Sequence, residues 1–401
     1  MHSAPGVVVI GAGLGGLRVV EQLRRNGHAG PVTLVGQEPH LLYDRPPLSK
    51  QVLRGELDST VLRSEFDSLH VGLRLGRSAI SLDPGARTVH LDDDTDIGYS
   101  ALVLAPGGRP RLLPGLLPRQ RVHVLRTIDD ALALRAAIGA DPAGTRRAVV
   151  VGGGFIGCEV AASLRHLGAE IDLVEALPHP LARVLGLAGG RIVTELLESG
   201  GVRVHTGLRV TAVEPAAGPA VAGAAVELSD SARMAADAVI VALGIVPAVD
   251  WLDGSGLRLD DGIVCDGAGR TSVPDVYALG DAARWPHPLV DGPRRVEHWS
   301  TVCDQAGVVA AAITGNPAAR LTEVPYFWSD QFDVRIQALG FVDPDDDVER
   351  HQPDGRSVLL YSRAGVLRSV VGFGAPRNLM RMRSLIADRG SVAEARALLA
   401  A

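Results

Sequence analysis

The sequence predicts an α/β protein with two wound, mostly parallel sheets and a smaller α+β domain at its C-terminal end. Two observations predict it. A strand, glycine turn, helix, strand unit occurs twice, and after Thr322 that pattern gives way to alternating runs such as SVLLYS and LRSVVGF. At 401 residues the chain exceeds what one core ordinarily fills, so several domains are expected.

The first unit, GVVVIGAGLGGLRVVEQLRRNG, reads as a buried strand over Val7 to Ile10 and then a helix with Leu17, Val20 and Leu23 on its apolar side. Between them Gly11, Gly13 and Gly16 have the spacing G-x-G-x-x-G. The first glycine permits the bend, the second lets backbone approach a pyrophosphate, and the third lets helix pack on strand. The second unit, RAVVVGGGFIGCEVAASLRHLG, repeats this with Gly152, Gly154 and Gly157 after a strand over Ala148 to Val151. With 47 glycines the pattern is expected roughly 0.6 times by chance, so the strand and helix around each copy give it meaning.

Each unit then returns to a strand ending in an acid, Glu38 in VTLVGQE and Glu175 in AEIDLVE. They lie 22 and 18 residues past the last glycine, where a carboxylate meets the ribose hydroxyls of a bound adenosine. The units therefore predict two Rossmann-like dinucleotide-binding domains. A third segment, TSVPDVYALGDAA, is a short apolar strand that ends in Gly280 and Asp281.

The composition excludes several classes. A formal charge of −6 and a pI near 6.1 argue against a general nucleic-acid binder. Cys158, Cys265 and Cys303 are far apart and show neither a CxxC pair nor metal-ligand spacing, so no disulfide framework or metal site is expected. The N-terminus runs straight into a strand without a charged leader, and no apolar run reaches the roughly 18 residues of a membrane span. A cytoplasmic location without a membrane partner is the expectation. The acid runs at 92–94 and 343–347 read as solvated turns, and the glycine and proline clusters around 139–144 and 215–223 as loops.

From Val7 to about Trp328 the chain resembles the flavin-dependent pyridine nucleotide reductases, whose fold is glutathione reductase-like. Within that family, YDRPPLSK, both glycine turns, LGDAA, VEHW and YFWSDQF are similar to the NADH-dependent ferredoxin reductases of putidaredoxin, rubredoxin and aromatic-dioxygenase type. The resemblance implies FAD on the first turn, with Glu38 on its ribose, Gly280 and Asp281 near its ribityl and pyrophosphate region, and Arg45, His298 and Trp299 among its contacts. It implies NADH on the second turn, where Glu175 accepts a 2′-hydroxyl and repels a 2′-phosphate. The expected layout is residues 1–108 and 247–321 for FAD, 109–246 for NADH and 322–401 for the C-terminal domain.

RPPLSK holds the only lysine in the sequence. By the resemblance Lys50 lies close to flavin N5, where a compact ammonium fits better than a planar guanidinium, and Glu159 reaches both that lysine and the nicotinamide carboxamide. A helix is expected from about Ser300 with Ser or Thr as its N-cap, its positive end towards the flavin. Trp299 reads equally as a core aromatic. Trp328 is implied at the flavin edge where an iron–sulfur partner docks, and Arg377, Arg381 and Arg383 form the expected docking group. One departure is Pro106 in LVLAPGGRPR, where the family usually has threonine; the hydrogen bond lost there is missing or re-made by Gly107 or Gly108. No cysteine lies between positions 40 and 55, which speaks against disulfide-reductase chemistry.

The expected activity is transfer of hydride from NADH to FAD and then of single electrons to a [2Fe-2S] ferredoxin that serves a cytochrome P450 or a ring-hydroxylating dioxygenase. Rubredoxin or monodehydroascorbate reduction on the same scaffold is the enzymatic alternative. A redox-responsive binding protein similar to apoptosis-inducing factor is the non-enzymatic one. Monomer and homodimer both stay open.

Overall fold

A computed structural model of the chain describes residues 5–62, 66–113, 121–139, 146–215, 223–316 and 318–400. Most of the two loops expected at 139–144 and 215–223 lies outside the described residues. The chain divides into two compact units. The first contains Met1–Asp44, Val61–Arg109 and Pro247–Phe327; the second contains Arg45–Thr60, Pro110–Val246 and Trp328–Ala401.

In the first unit five parallel strands run in the order Val71–Leu75, Val32–Gly36, Gly6–Ile10, Asp96–Leu104, Val276–Ala278. Val7 to Ile10 are all buried, as strands covered on both faces must be. The short strand Val276–Ala278 comes from the unit's third segment and joins the sheet with Ala278 opposite Leu104. Its apolar sequence buries it there, and Gly280 and Asp281 follow immediately at the carboxyl end of the sheet. The helix Leu14–Arg25 buries the predicted face of Leu17, Val20 and Leu23, in one core with Val309 and Ala310 of the helix Trp299–Ile313.

The second unit repeats the order with Arg203–Thr206, Glu170–Glu175, Arg147–Val151, Ala238–Val241 and Val122–His123, again all parallel. A three-stranded antiparallel sheet, Val210–Pro215, Ala224–Leu228 and Arg233–Ala236, accompanies it. The C-terminal part is a five-stranded sheet in the order Tyr326–Gln331, Val334–Gly340, Val366–Phe373, Ser357–Arg363, Asp347–His351, followed by three short helices. The runs SVLLYS and LRSVVGF form its antiparallel centre.

Three local expectations need correction. The helix of VEHW starts at Trp299 with His298 as N-cap, and no side chain caps it; the Ser300 hydroxyl donates instead to Tyr326 O at 2.5 Å. A final helix, read from the sequence around Leu379 to Arg389, does not run unbroken through those positions. It breaks into Pro376–Met380 and Arg383–Ala387, because Met382 N–H closes a tight turn on Leu379 O and tucks its side chain fully into the core. The acid run at 343–347 is not purely a solvated turn: the Asp346 side chain is enclosed, 3.0 Å from Arg363 and 3.2 Å from Arg368.

Candidate functional site

The two glycine turns are built alike. Gly11 has φ +116° and Gly152 has φ +103°, and a Cβ there would lie 2.0 Å from Ala105 O and 2.5 Å from Ala242 O. A Cβ on Gly16 would come 2.1 Å from Gly11 O, and one on Gly157 1.9 Å from Gly152 O. The middle glycines differ. Among the described residues nothing lies within 4 Å of a Cβ on Gly13, and only Ala242 O, at 4.0 Å, approaches one on Gly154.

The first and third glycines are thus required by packing, while the middle one faces open space. The helices behind, Leu14–Arg25 and Phe155–His166, carry no acidic residue in the first turn and no side-chain cap. No carboxylate in either helix's own first turn offsets the positive dipole end that would meet an anion. Both turns fit the pyrophosphate of a dinucleotide.

The acids that close each unit are held in different ways. Glu38 accepts the Tyr43 hydroxyl on Oε2. Glu175 accepts Gly153 N–H at 2.6 Å and Leu177 N–H at 2.8 Å, one on each oxygen, so it also fixes the glycine turn. That second duty was not visible in the sequence.

In the first unit, Leu279 lies against Gly15, which brings Gly280 and Asp281 to the end of the sheet where the first glycine turn stands. Gly280 takes φ +75°, and its N–H donates to Gln305 Oε1 at 2.8 Å. His298 packs its ring 4.9 Å from that of Phe327, and its Nδ1 has no hydrogen-bond partner among the described residues. Burial pushes this imidazole down to about 4 from 6.5, an effect Asp281 only partly offsets. Trp299 is fixed on two sides, its indole N–H donating to Asp44 Oδ1 at 2.9 Å and the Arg18 guanidinium lying 5.8 Å from its ring centre. Beside Pro106, Gly107 adopts φ +68° and its carbonyl accepts Ala248 N–H at 3.0 Å.

In the second unit, RPPLSK forms a tight turn over Pro46–Ser49, which its prolines pre-set. Arg45 Nη1 donates to Arg126 O. Glu159 and Ser163 are one helical turn apart and both reach Ser49: Ser163 Oγ donates to Ser49 O at 2.7 Å, and Ser49 Oγ donates to Glu159 Oε2. Lys50 Nζ lies 2.9 Å from the same Oε2. Ser329 Oγ donates to Glu159 Oε1 at 2.8 Å. Trp328 is half-buried on the opposite face of that strand, whose inward positions are Phe327, Ser329 and Gln331.

The sequence-predicted residues thus fall into two groups. Gly11, Gly13, Gly16, Glu38, Gly280, Asp281, His298 and Trp299 belong to the first unit; Arg45, Lys50, Gly152, Gly154, Gly157, Glu159, Glu175 and Trp328 belong to the second. Asp44, Ser49, Gln305, Ser329 and Gln331 were missed. Only the period-two alternation of YFWSDQF, which points two polar residues inward, could have flagged any of them. Arg377 and Arg381 are exposed and Arg383 is half-buried.

The cysteines are ill suited to redox work. Burial pushes the Cys158 thiol well up and the Cys265 thiol to about 12, which suppresses the reactive thiolate. Among the described residues no helix is long and apolar enough to cross a membrane, and no group of three or more His, Cys, Asp or Glu is placed to hold a metal.

Comparison with known proteins places this geometry in a family. Residues 5–306 match the pyridine nucleotide-disulphide oxidoreductase family, and residues 326–399 match the reductase C-terminal domain. The ferredoxin reductase component of chlorobenzene dioxygenase from Cupriavidus sp. (strain PS12) is 38% identical over 401 residues, covering 97% of this chain and 94% of that protein. A ferredoxin–NAD(P)(+) reductase of Sphingomonas sp is 36% identical, over 95% of this chain and 92% of its own length. The crystal structure of the covalent putidaredoxin reductase–putidaredoxin complex matches with a TM-score of 0.90 at 30% identity, covering 97% of this chain and 94% of the other. The chain belongs to the pyridine nucleotide-disulphide oxidoreductase family, enzymes that use a flavin and NAD(P)H.

Proposed function

We propose that this protein is an NADH-dependent ferredoxin reductase that holds FAD on the Gly11–Gly16 turn and NADH on the Gly152–Gly157 turn. Electrons pass from it to a [2Fe-2S] ferredoxin that supplies a cytochrome P450 or a ring-hydroxylating dioxygenase. The relatives named for that activity, similar over almost their whole length, support the reading. A bound flavin supplies the coupling between a two-electron hydride donor and a one-electron acceptor.

The observation that carries the reading is the buried ion pair of Lys50 and Glu159, with Glu159 two residues past the last glycine of the second turn. A charged pair enclosed in this way is costly to build, and such pairs concentrate where chemistry needs them. Glu159 would accept from the nicotinamide carboxamide and so orient the ring, and Lys50 would supply a compact positive charge to the hydride transfer. Glu175 accepts the 2′-hydroxyl of the adenosine ribose with its remaining lone pairs and repels a 2′-phosphate, which sets the preference for NADH. His298 is the N-cap of the helix Trp299–Ile313, whose N-terminal dipole would favour negative charge on a bound flavin.

Rapid mixing of the flavin-loaded protein with NADH and, separately, NADPH tests the donor; electron delivery to a panel of [2Fe-2S] ferredoxins, rubredoxins and monodehydroascorbate tests the acceptor. Fast reduction by NADH and fast turnover with a ferredoxin are expected. Turnover with rubredoxin or monodehydroascorbate alone would contradict the assignment.

A further inference from the structure

We infer that Ser329 and Ser49 are positioning residues that aim the Glu159 carboxylate, so that the C-terminal sheet takes part in binding the nicotinamide. This rests on the reading of Glu159 as the acceptor for the carboxamide. A carboxylate offers about four acceptor positions. On Oε2, Ser49 Oγ–H and Lys50 Nζ take both. On Oε1, Ser329 Oγ–H takes one at 2.8 Å. Among the described residues one acceptor position is left, on Oε1, and the plane of the group is fixed from both ends.

The direction of each hydroxyl is fixed as well. Ser329 lies between Glu159, which only accepts, and Gln331 Nε2 at 3.4 Å, which only donates, so its proton points at Glu159. Ser49 has one other acceptor in reach, Pro46 O at 3.4 Å, much the longer contact. All the partners are enclosed: Ser329 and Gln331 are 0% exposed, Ser49 1%, Glu159 4% and Lys50 5%. Water therefore does not compete for these bonds, and donor, acceptor and charge are strengthened together. An apolar residue would ordinarily occupy the inward positions of Ser329 and Gln331, and both are polar.

The test is a double-mutant cycle read by NAD+ binding to the flavin-loaded protein, not by turnover. Dissociation constants are measured calorimetrically for wild type, Ser329→Ala, Glu159→Ala and the double variant. Ser329→Ala should weaken NAD+ about tenfold, the size of one lost hydrogen bond to a charged group. In the Glu159→Ala background the same change should cost less than about twofold, because a residue that acts through another has nothing left to act on. Equal losses in both backgrounds, or no loss from Ser329→Ala, overturn the inference. If Glu159→Ala does not fold because Lys50 is stranded, Lys50→Met/Glu159→Leu replaces the pair with apolar groups and takes its place in the cycle. Wild-type protein that binds no NAD+ would instead sink the reading of the site on which the inference rests.

Discussion

Lys50 Nζ and Glu159 Oε2 stand 2.9 Å apart, with their side chains only 6% and 5% exposed. A pair so enclosed costs more to break than it contributes when intact, because either partner alone is a buried charge. Lys50→Met should therefore lower unfolding stability by about 3 to 5 kcal/mol, and adding Glu159→Leu should recover part of it. Flavin should stay bound in Lys50→Met while its reduction by NADH slows. Denaturant unfolding and rapid-mixing absorbance read the two effects; unchanged reduction kinetics would remove the assigned role.

The glycine turns separate folding from ligand binding. Gly157→Ala places a methyl 1.9 Å from Gly152 O and should prevent correct folding, whereas Gly154→Ala meets only Ala242 O at 4.0 Å and should fold. The Gly154→Ala protein should keep its flavin and lose NADH affinity by at least about tenfold, because the methyl occupies the place of the pyrophosphate. Circular dichroism and NADH titration distinguish the two variants.

Glu175 joins specificity to structure. Its removal frees space for a 2′-phosphate but also leaves the Gly153 and Leu177 N–H groups without their acceptor. Glu175→Ala should weaken NADH and fail to gain NADPH affinity, since the turn that binds both cofactors loosens. Titration with each nucleotide checks this, and a clean switch to NADPH would show that the carboxylate serves only to discriminate.

His298 makes stability depend on acid. Its folded value near 4 lies below the ordinary 6.5, so between those limits the unfolded chain takes up a proton that the folded one refuses. Stability should therefore fall as pH drops from 6.5 towards 4, and His298→Asn should flatten that limb. Thermal melts at half-unit pH steps compare the two proteins.

The features legible in the sequence are those made by near neighbours. Each glycine turn, its strand and its helix lie within a short stretch, so the glycine spacing read together with the flanking strand and helix exposed them, and the apolar face of Leu17, Val20 and Leu23 followed from helical period. The pairing of Lys50 with Glu159 spans more than a hundred residues and was reached only through resemblance. Ser329 reaches Glu159 from 170 residues away and carries no local signal beyond strand alternation. His298 displaced Ser300 as N-cap because the serine found a better acceptor in Tyr326 O, a tertiary choice that capping preference cannot foresee. Asp346 looked solvated because its run is acidic, yet two arginines from neighbouring strands close over it.

The most direct test of the whole account is an anaerobic titration of the freshly purified protein with NADH, followed by oxidised ferredoxin. The account predicts a yellow protein whose flavin absorbance is bleached by about one equivalent of NADH and restored as ferredoxin takes the electrons singly. A colourless protein that does not take up FAD, or a yellow one that NADH leaves unchanged, would contradict it.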